Sequence, residues 1–280
     1  MRVEQVLVRA TAGRLRYSED ARYTVQTEGI FFADVVDGHG DPMHSTAIVR
    51  FAEFIAVELA EQFMTVKDVD VFPELFDVVN AKAEDKFGEV SLCGAVAMCV
   101  AIKEAKPELV VAWAGDCRLY RYVPENMYRN FQLTADHNAH NPAEAARIRP
   151  LCSPDGVNVV VYGYDADHLQ LMRLAKEERH GRIMMIIPTR GFGDCDFHPV
   201  FTHVPEVRKI AFDPTHFNLF ALCSDGGADV VREVFRNLGS NARELSSLDI
   251  MQVIQKTADM CVPKNPKDDI TIVFFLVHPF

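Results

Sequence analysis

The chain of 280 residues is 49% hydrophobic and 25% charged, so it has enough apolar material for a buried core and is neither disordered nor collagen-like. Its formal net charge of −11 argues against nucleic acid and acidic membrane surfaces as partners, because both would be repelled. The sequence has no C-x-x-C pair, no signal-peptide core and no apolar run long enough to span a membrane. These features favour a cytoplasmic protein, with the nucleus as the alternative.

The first half of the chain alternates between strand and helix patterns. Residues 28–37 form an aromatic and β-branched run that ends in Gly-His-Gly, which predicts a buried strand entering a tight loop. Ser45 is suited to an N-cap, and apolar side chains then recur at helical spacing from Ile48 to Phe63. A helix with one buried stripe is therefore predicted after Ser45.

A second helix is predicted next, with Pro73 in its first turn and Gly88 as its terminator. Short polar links then separate three β-like runs, a pattern typical of an antiparallel meander. These runs lie at residues 95–102, 109–113 and 119–123.

The second half begins with a region that lacks a clear period. Residues 135–181 are rich in His, Asn and Pro and become charged toward the end, which favours irregular structure on the surface. Regular patterns then return, and they predict strands at 183–187 and 217–223, helices from Val230 to Gly239 and at 247–261, and a central strand from Ile270. No repeat, linker or boundary interrupts the chain, so residues 1–280 are expected to form one domain.

An aspartate stands at the end of four apolar strands. Asp37, Asp116 and Asp225 follow such runs, and Asp268 precedes one. Each Asp-Gly pair taken alone is more typical of a turn. Four carboxylates on rigid strand ends favour a site for Mg²⁺ or Mn²⁺, which prefer oxygen ligands, although spacing alone does not show that the four ends meet.

Eight short motifs follow one another in a fixed order along nearly the whole chain. Together they resemble the motifs of the type 2C, metal-dependent serine/threonine protein phosphatases. They are YSEDA at 17–21, VDGHG at 36–40, AGDCRLYR at 114–121, LTADHNAHNPAEAARI at 133–148, TRGFGD at 189–194, VPEV at 204–207, LCSDGGADV at 222–230 and DDITIVFF at 268–275.

The resemblance implies an α+β fold, a four-layer αββα sandwich with two central antiparallel sheets flanked by helices. It also implies two divalent cations at one edge of the sandwich, Mg²⁺ or Mn²⁺. By the resemblance Asp37 would bridge both ions and the Gly38 carbonyl would bind one of them. Asp225 and Asp268 would bind the other.

Further ligands follow from the same resemblance. Glu19 and Asp20 would bind the ions directly or through water. Asp116 and Asp229 match positions that hold a weaker third ion in the family. The resemblance thus implies two metal ions, and a third ion if Asp116 and Asp229 also act as ligands.

His39 matches the general acid proposed for the family, which would protonate the leaving alkoxide of a phosphoserine or phosphothreonine. Outside this motif, a histidine in a polar loop is typically a solvated side chain. A phosphate monoester also favours a guanidinium. The family has an arginine where this chain has Leu15, and of the flanking Arg14 and Arg16 we select Arg16, although both also fit solvated surface positions.

The chain departs from the family pattern at two places near the predicted site. The run FFADVVD has one residue more than usual before Asp-Gly-His-Gly, which predicts a β-bulge or a shifted register. Asp269 replaces a typical Asn and adds a negative charge beside Asp268.

Three functional interpretations remain open at this level. The first is an active monomeric phosphatase whose partner is a phosphoprotein substrate. The second is a pseudophosphatase that binds proteins without turnover, which the irregular arginine and the lengthened strand would favour. The third is a cation-binding structural domain, which explains the carboxylates but not His39. The retained carboxylates favour the enzyme.

Overall fold

The structure is a computed structural model that describes twelve stretches of the chain. These are residues 2–11, 18–27, 29–41, 44–88, 93–104, 106–124, 131–153, 156–164, 170–177, 183–239, 245–264 and 266–279. Within them, no helix combines the length and apolar character needed to cross a membrane.

The described residues form fourteen strands and five α-helices. The strands are β1 (Val3–Ala10), β2 (Asp20–Thr27), β3 (Ile30–Gly40), β4 (Cys93–Lys103), β5 (Glu108–Ala114), β6 (Arg118–Arg121), β7 (Phe131–Gln132), β8 (Asn158–Tyr164), β9 (Gln170–Glu177), β10 (Ile183–Ile186), β11 (Phe192–Gly193), β12 (Glu206–Ala211), β13 (Asn218–Cys223) and β14 (Ile270–Val277). The helices are α1 (Ser45–Val66), α2 (Phe72–Phe87), α3 (Pro142–Ile148), α4 (Ala228–Leu238) and α5 (Ser247–Cys261).

Two large antiparallel sheets form the centre of the molecule. One has the strand order β12-β5-β4-β3-β2, with β11 paired to β4, and the other has the order β1-β14-β13-β6-β7. Side chains such as Trp113, Phe220 and Phe275 fill the space between the sheets. Helices α1 and α2 cover the outer face of the first sheet, and α4 and α5 cover the second. The predicted αββα sandwich is confirmed.

Four of the five helices, α1, α2, α4 and α5, form where the apolar spacing predicts them. The stripe of α1 from Ile48 to Phe63 is buried against the first sheet, and α5 begins with a capping box in which Ser246 and Asp249 bond reciprocally. Ser45 is the first residue of α1 rather than its N-cap, so that prediction is wrong by one position. Its hydroxyl instead bonds to the Glu19 carboxylate.

The prediction of irregular structure at 135–181 is wrong. This region contains α3, β8 and β9, and the last two join β10 in a separate three-stranded sheet. One face of this sheet packs on a small apolar cluster that includes Leu174, Phe197 and Phe201. The strands are short and β9 mixes polar with apolar residues, so the apolar period was too brief to identify from sequence.

The predicted bulge near Asp37 is also wrong. Strand β3 pairs without interruption with β2 from Asp20↔Asp37 to Thr27↔Ile30, and with β4 along its whole length. The strand is simply longer, and it buries Asp34 completely in its middle. One oxygen of Asp34 accepts the backbone N–H of Tyr23 at 2.6 Å, and burial raises the pKa of this carboxyl well above its usual value.

Candidate active site

Acidic side chains from both sheets meet at one end of the sandwich. They line a cleft of about 600 Å³ together with the loop around His39. Each is positioned by the end of a strand. The pairing of β2 with β3 brings Glu19 and Asp37 together. Asp116 follows β5, Asp225 follows β13, and Asp268 precedes β14. Five of the seven described acidic residues that line the cleft belong to the predicted set, namely Glu19, Asp37, Asp116, Asp225 and Asp268, and the other two are Asp41 and Asp194.

Asp20 is buried behind this cluster of carboxylates. It lies directly opposite Asp37 across the β2–β3 ladder and is 2% exposed. Ser224, the residue before Asp225, donates its hydroxyl to Asp20 Oδ2 at 2.9 Å. Sequence reasoning did not single out Ser224, whose only signal was its place before the Asp-Gly pair.

The carboxylates are electrostatically unfavourable without a counterion. Burial, followed by repulsion from Asp20 and Asp225, raises the pKa of Asp37 well above its usual value. Burial, followed by repulsion from Asp225, raises the pKa of Asp116 to about 7. Burial also raises the pKa of Asp20 to about 7, although the Ser224 hydroxyl opposes the shift. Such crowding of like charges fits a site that binds cations.

Two oxygen atoms add to this argument. Glu19 Oε1 and Asp20 Oδ1 are buried and have no hydrogen-bond partner. Hard divalent cations take such oxygen donors, so the chemistry of the side chains fits Mg²⁺ or Mn²⁺. In the part of the chain that the structure describes, no three His, Cys, Asp or Glu side chains already surround a common point at which a metal ion could be held. The donors are therefore gathered in one cleft but are not closed around an ion.

Gly38 allows the strands and helix around the site to approach closely. Its N–H donates to the Glu19 carbonyl at 3.2 Å. A Cβ atom at this position would lie 2.7 Å from that carbonyl oxygen and 2.7 Å from a methyl group of Ile48. Only glycine fits between β2 and α1, and this keeps Glu19 beside Asp37.

His39 is held by a carboxylate that sequence reasoning missed. Its Nε2 lies 2.5 Å from Oδ2 of Asp194, which is itself buried. Burial would lower the pKa of His39, but the charge and hydrogen bond of Asp194 raise it above its ordinary value. Asp194 is the last residue of the TRGFGD motif, and that motif was its only signal.

A glycine makes the His39–Asp194 pair possible. Strand β4 passes directly beneath the pair at Gly94, where a Cβ atom would lie 2.2 Å from Asp194 Oδ2 and 2.6 Å from His39 Nε2. No side chain fits in that space without separating the two groups.

Asp269, which replaces a typical Asn, also has a structural role. It is 4% exposed, and its Oδ2 accepts the backbone N–H of Glu19 at 2.5 Å. This bond joins β14 to the beginning of β2, so the second sheet fixes the position of Glu19 in the first.

The structure does not bring every predicted residue to the cleft. Asp229 is 92% exposed in the first turn of α4, where it pairs with Arg232 at 2.7 Å. Arg16 and its alternative Arg14 lie outside the described residues. Among the residues that are described, Arg173 on β9 is the one arginine or lysine that lines the cleft.

The fold and the cleft define a class of enzyme-like domain in which carboxylates on two sheets face a common cavity. The family model of protein phosphatase 2C matches residues 17–270 of the chain. The chain belongs to the protein phosphatase 2C family. No curated protein matches it in sequence.

Solved structures share the fold at low sequence identity. Serine-threonine phosphatase 2C from Toxoplasma gondii has a TM-score of 0.64 and 17% identity, over 98% of this chain and 94% of that one. A C. elegans sex-determining protein has a TM-score of 0.62 and 19% identity over 99% of this chain, which spans only 65% of that protein. RsbX, solved with magnesium, has a TM-score of 0.54 and 12% identity, over 98% and 94% of the two chains.

Proposed function

We propose that this protein is a metal-dependent phosphoprotein phosphatase that hydrolyses phosphoserine and phosphothreonine monoesters, with residues 1–280 acting as one catalytic domain. The observation that carries the proposal is the meeting of five carboxylates and His39 in one cleft. A phosphorylated protein is its partner, and the expected setting is a monomer in the cytoplasm.

The chemistry of the cleft calls for bound cations. When bound, a pair of Mg²⁺ or Mn²⁺ ions supplies an activated water and neutralises phosphoryl charge. Asp116 also lines the cleft and is available to a third ion, whereas Asp229 points to solvent with Arg232. The residues that we propose to hold the pair are Asp37, the Gly38 carbonyl, Asp225 and Asp268, with Glu19 and Asp20 acting directly or through water.

His39 is the proposed general acid. Because Asp194 occupies Nε2, the ring nitrogen left to donate a proton to the leaving oxygen of serine or threonine is Nδ1. Asp194 is a positioning residue, since it acts only through His39. It orients the ring and keeps it protonated at a higher pH than an isolated histidine.

The alternative is a pseudophosphatase that binds proteins without turnover. The observation that favours it is in the sequence, where Leu15 stands at the position of the family's arginine. The buried, mutually repelling carboxylates oppose it. A protein without cations would have no reason to retain Asp20, Asp37 and Asp116 together, since their crowding costs stability.

Hydrolysis assays separate these two functions. Purified protein is dialysed against EDTA and tested on p-nitrophenyl phosphate and on a phosphothreonine peptide, first without metal and then with Mn²⁺ or Mg²⁺. Turnover that appears only with the cation supports the phosphatase. Calorimetric binding of Mn²⁺ with no hydrolysis of either compound would support the pseudophosphatase.

A further inference from the structure

One part of the lining of the cleft is apolar. It is built by β10 and the two residues after it, and five of these six residues are isoleucine or methionine. The residues of this apolar wall that line the cleft are Ile183, Met184, Met185, Ile186, Ile187 and Pro188.

Strand β10 presents two different faces. Met184 and Ile186 pack inward on the small apolar cluster with Leu174. Because side chains alternate along a strand, Ile183 and Met185 point to the other face. Ile183 is 58% exposed, and Ile187, just beyond the strand, is 42% exposed. We call Ile183, Met185 and Ile187 the apolar row.

The position of β10 in its sheet allows another polypeptide segment to bind along it. Strand β10 is at the edge of its sheet, in the order β10-β9-β8. Exposed apolar side chains on an edge strand are unfavourable in water and favour contact with another segment. The apolar row belongs to the same cleft as the carboxylates, so a segment that places a phosphate at the acidic wall also lies against the row.

Charge narrows the kind of segment that fits. The whole chain has a formal net charge of −11, and Arg173 is the one arginine or lysine among the described residues that line the cleft, so a strongly acidic segment is disfavoured. The row offers apolar contact instead, and the flexible Met185 can adapt to side chains of different shape.

Resting on the proposed function, we infer that the apolar row is a specificity surface that recognises aliphatic side chains flanking the phosphorylated serine or threonine of an extended substrate segment. Apolar pockets typically discriminate by about tenfold per group that they accommodate. Substrates with aliphatic flanks should bind about tenfold more tightly than matched substrates with glycine and serine flanks.

Binding can be measured without relying on turnover. Two fluorescent peptides carry a phosphonate analogue of phosphothreonine, which cannot be hydrolysed. One has leucine and valine beside the phosphonate, and the other has glycine and serine. Fluorescence anisotropy with Mn²⁺ present gives the ratio of their affinities. Hydrolysis of p-nitrophenyl phosphate, which has no flanking residues, tests the proposed function separately.

The deciding variant is Ile183→Ser combined with Ile187→Ser, because both side chains are exposed and their loss leaves the inner face of β10 intact. Leu248→Ser is the matched control, since Leu248 is 63% exposed on α5, which covers the other sheet. Circular dichroism checks that both variants are folded.

The expected result is a ratio of about ten for the wild-type protein and for Leu248→Ser, and a ratio near one for the double variant. A wild-type ratio near one, or a ratio unchanged in the folded double variant, overturns the inference. Lack of p-nitrophenyl phosphate hydrolysis would instead count against the proposed function, while the affinity ratio would still decide the role of the row.

Discussion

The two walls of the cleft are built in different ways. The acidic wall stands on the ends of strands in the central sheets, and four of these strands, β3, β5, β13 and β14, are buried along most of their length. The apolar wall stands on a short edge strand of a three-stranded sheet that packs on a small cluster. The acidic wall carries the groups that need fixed geometry, and the smaller sheet carries the surface that we propose to meet a variable substrate segment.

The largest effect is expected on the acidic wall, from Asp37→Asn. Loss of the central carboxylate should lower turnover of a phosphothreonine peptide by at least about 100-fold, since even indirect partners of metal ligands contribute 10- to 100-fold. The same change removes a repelled charge, so the metal-free variant should melt a few degrees higher than the wild type. Thermal melts with and without Mn²⁺ check this, and a lower melting temperature without metal would contradict the account of repulsion.

The next effect is expected from His39→Gln. Loss of a general acid should lower peptide turnover by about 100-fold. It should lower turnover of p-nitrophenyl phosphate much less, because nitrophenolate leaves readily without a proton. Rates on both compounds test this role, and equal losses on the two would show that His39 acts in some other way.

Asp194→Asn should have a smaller effect, about tenfold on peptide turnover. Asp194 raises the pKa of His39, and the acid must be protonated to act. In the variant the alkaline decline of activity should therefore begin at lower pH than in the wild type. Asp196→Asn is the matched control, since Asp196 pairs with Lys176 on the neighbouring sheet.

Gly94→Ala tests the same pair through the backbone. The added methyl group should separate His39 from Asp194 and reproduce most of the loss seen in Asp194→Asn. Because both changes break one contact, the double variant should be little worse than either alone. Fully additive losses in peptide turnover would count against this interpretation.

The smallest effect on turnover is expected from Glu144→Gln, which acts on stability. Burial alone would raise the pKa of Glu144, but hydrogen bonds from Arg190, Arg147 and Thr189 lower it to about 2. The bonds to Thr189 at 2.7 Å and to Arg190 at 3.0 Å connect α3 to the segment that follows β10, and Arg147, which lies on α3 itself, donates to the same carboxylate at 2.9 Å. Their weakening should lower the free energy of unfolding by about 2 kcal/mol near neutral pH.

The sign of the pH dependence follows from the lowered pKa. The contribution of Glu144 is complete above its ordinary pKa of 4.5 and is lost as the pH falls toward 2. Urea unfolding of wild type and variant should therefore converge between these values. Glu233→Gln on α4, whose partner Arg236 is largely exposed, should change stability by less than about 0.5 kcal/mol.

Much of the sandwich could be predicted from sequence because its elements have strong periods. Strand β14 is uniformly apolar and is buried on both faces between the layers, as its composition predicted. Strands β1 and β12 were not identified, since they are edge strands with polar and apolar residues mixed. Helix α3 and strands β8 and β9 were also missed, because their apolar periods are too short to identify.

Some residues of the candidate site could be predicted from sequence and others could not. The acidic residues at strand ends were found because an Asp beside an apolar run is visible in the sequence. Asp194 was not, because its role depends on contact with His39, 155 residues away along the chain. Asp229 was selected by motif position, but the turn of α4 points it to solvent. Local sequence gives a residue's type and element, whereas partners across the fold require the structure.

The most direct test of the central claim is a Mn²⁺ titration of phosphothreonine peptide hydrolysis, using EDTA-dialysed wild type, Asp225→Asn and Asp229→Asn. We expect activity in the wild type that rises with Mn²⁺ and saturates, a loss of at least about 100-fold in Asp225→Asn, and near wild-type activity in the exposed Asp229→Asn. Undiminished, Mn²⁺-dependent activity in Asp225→Asn would contradict the assignment of the acidic cleft as the metal centre.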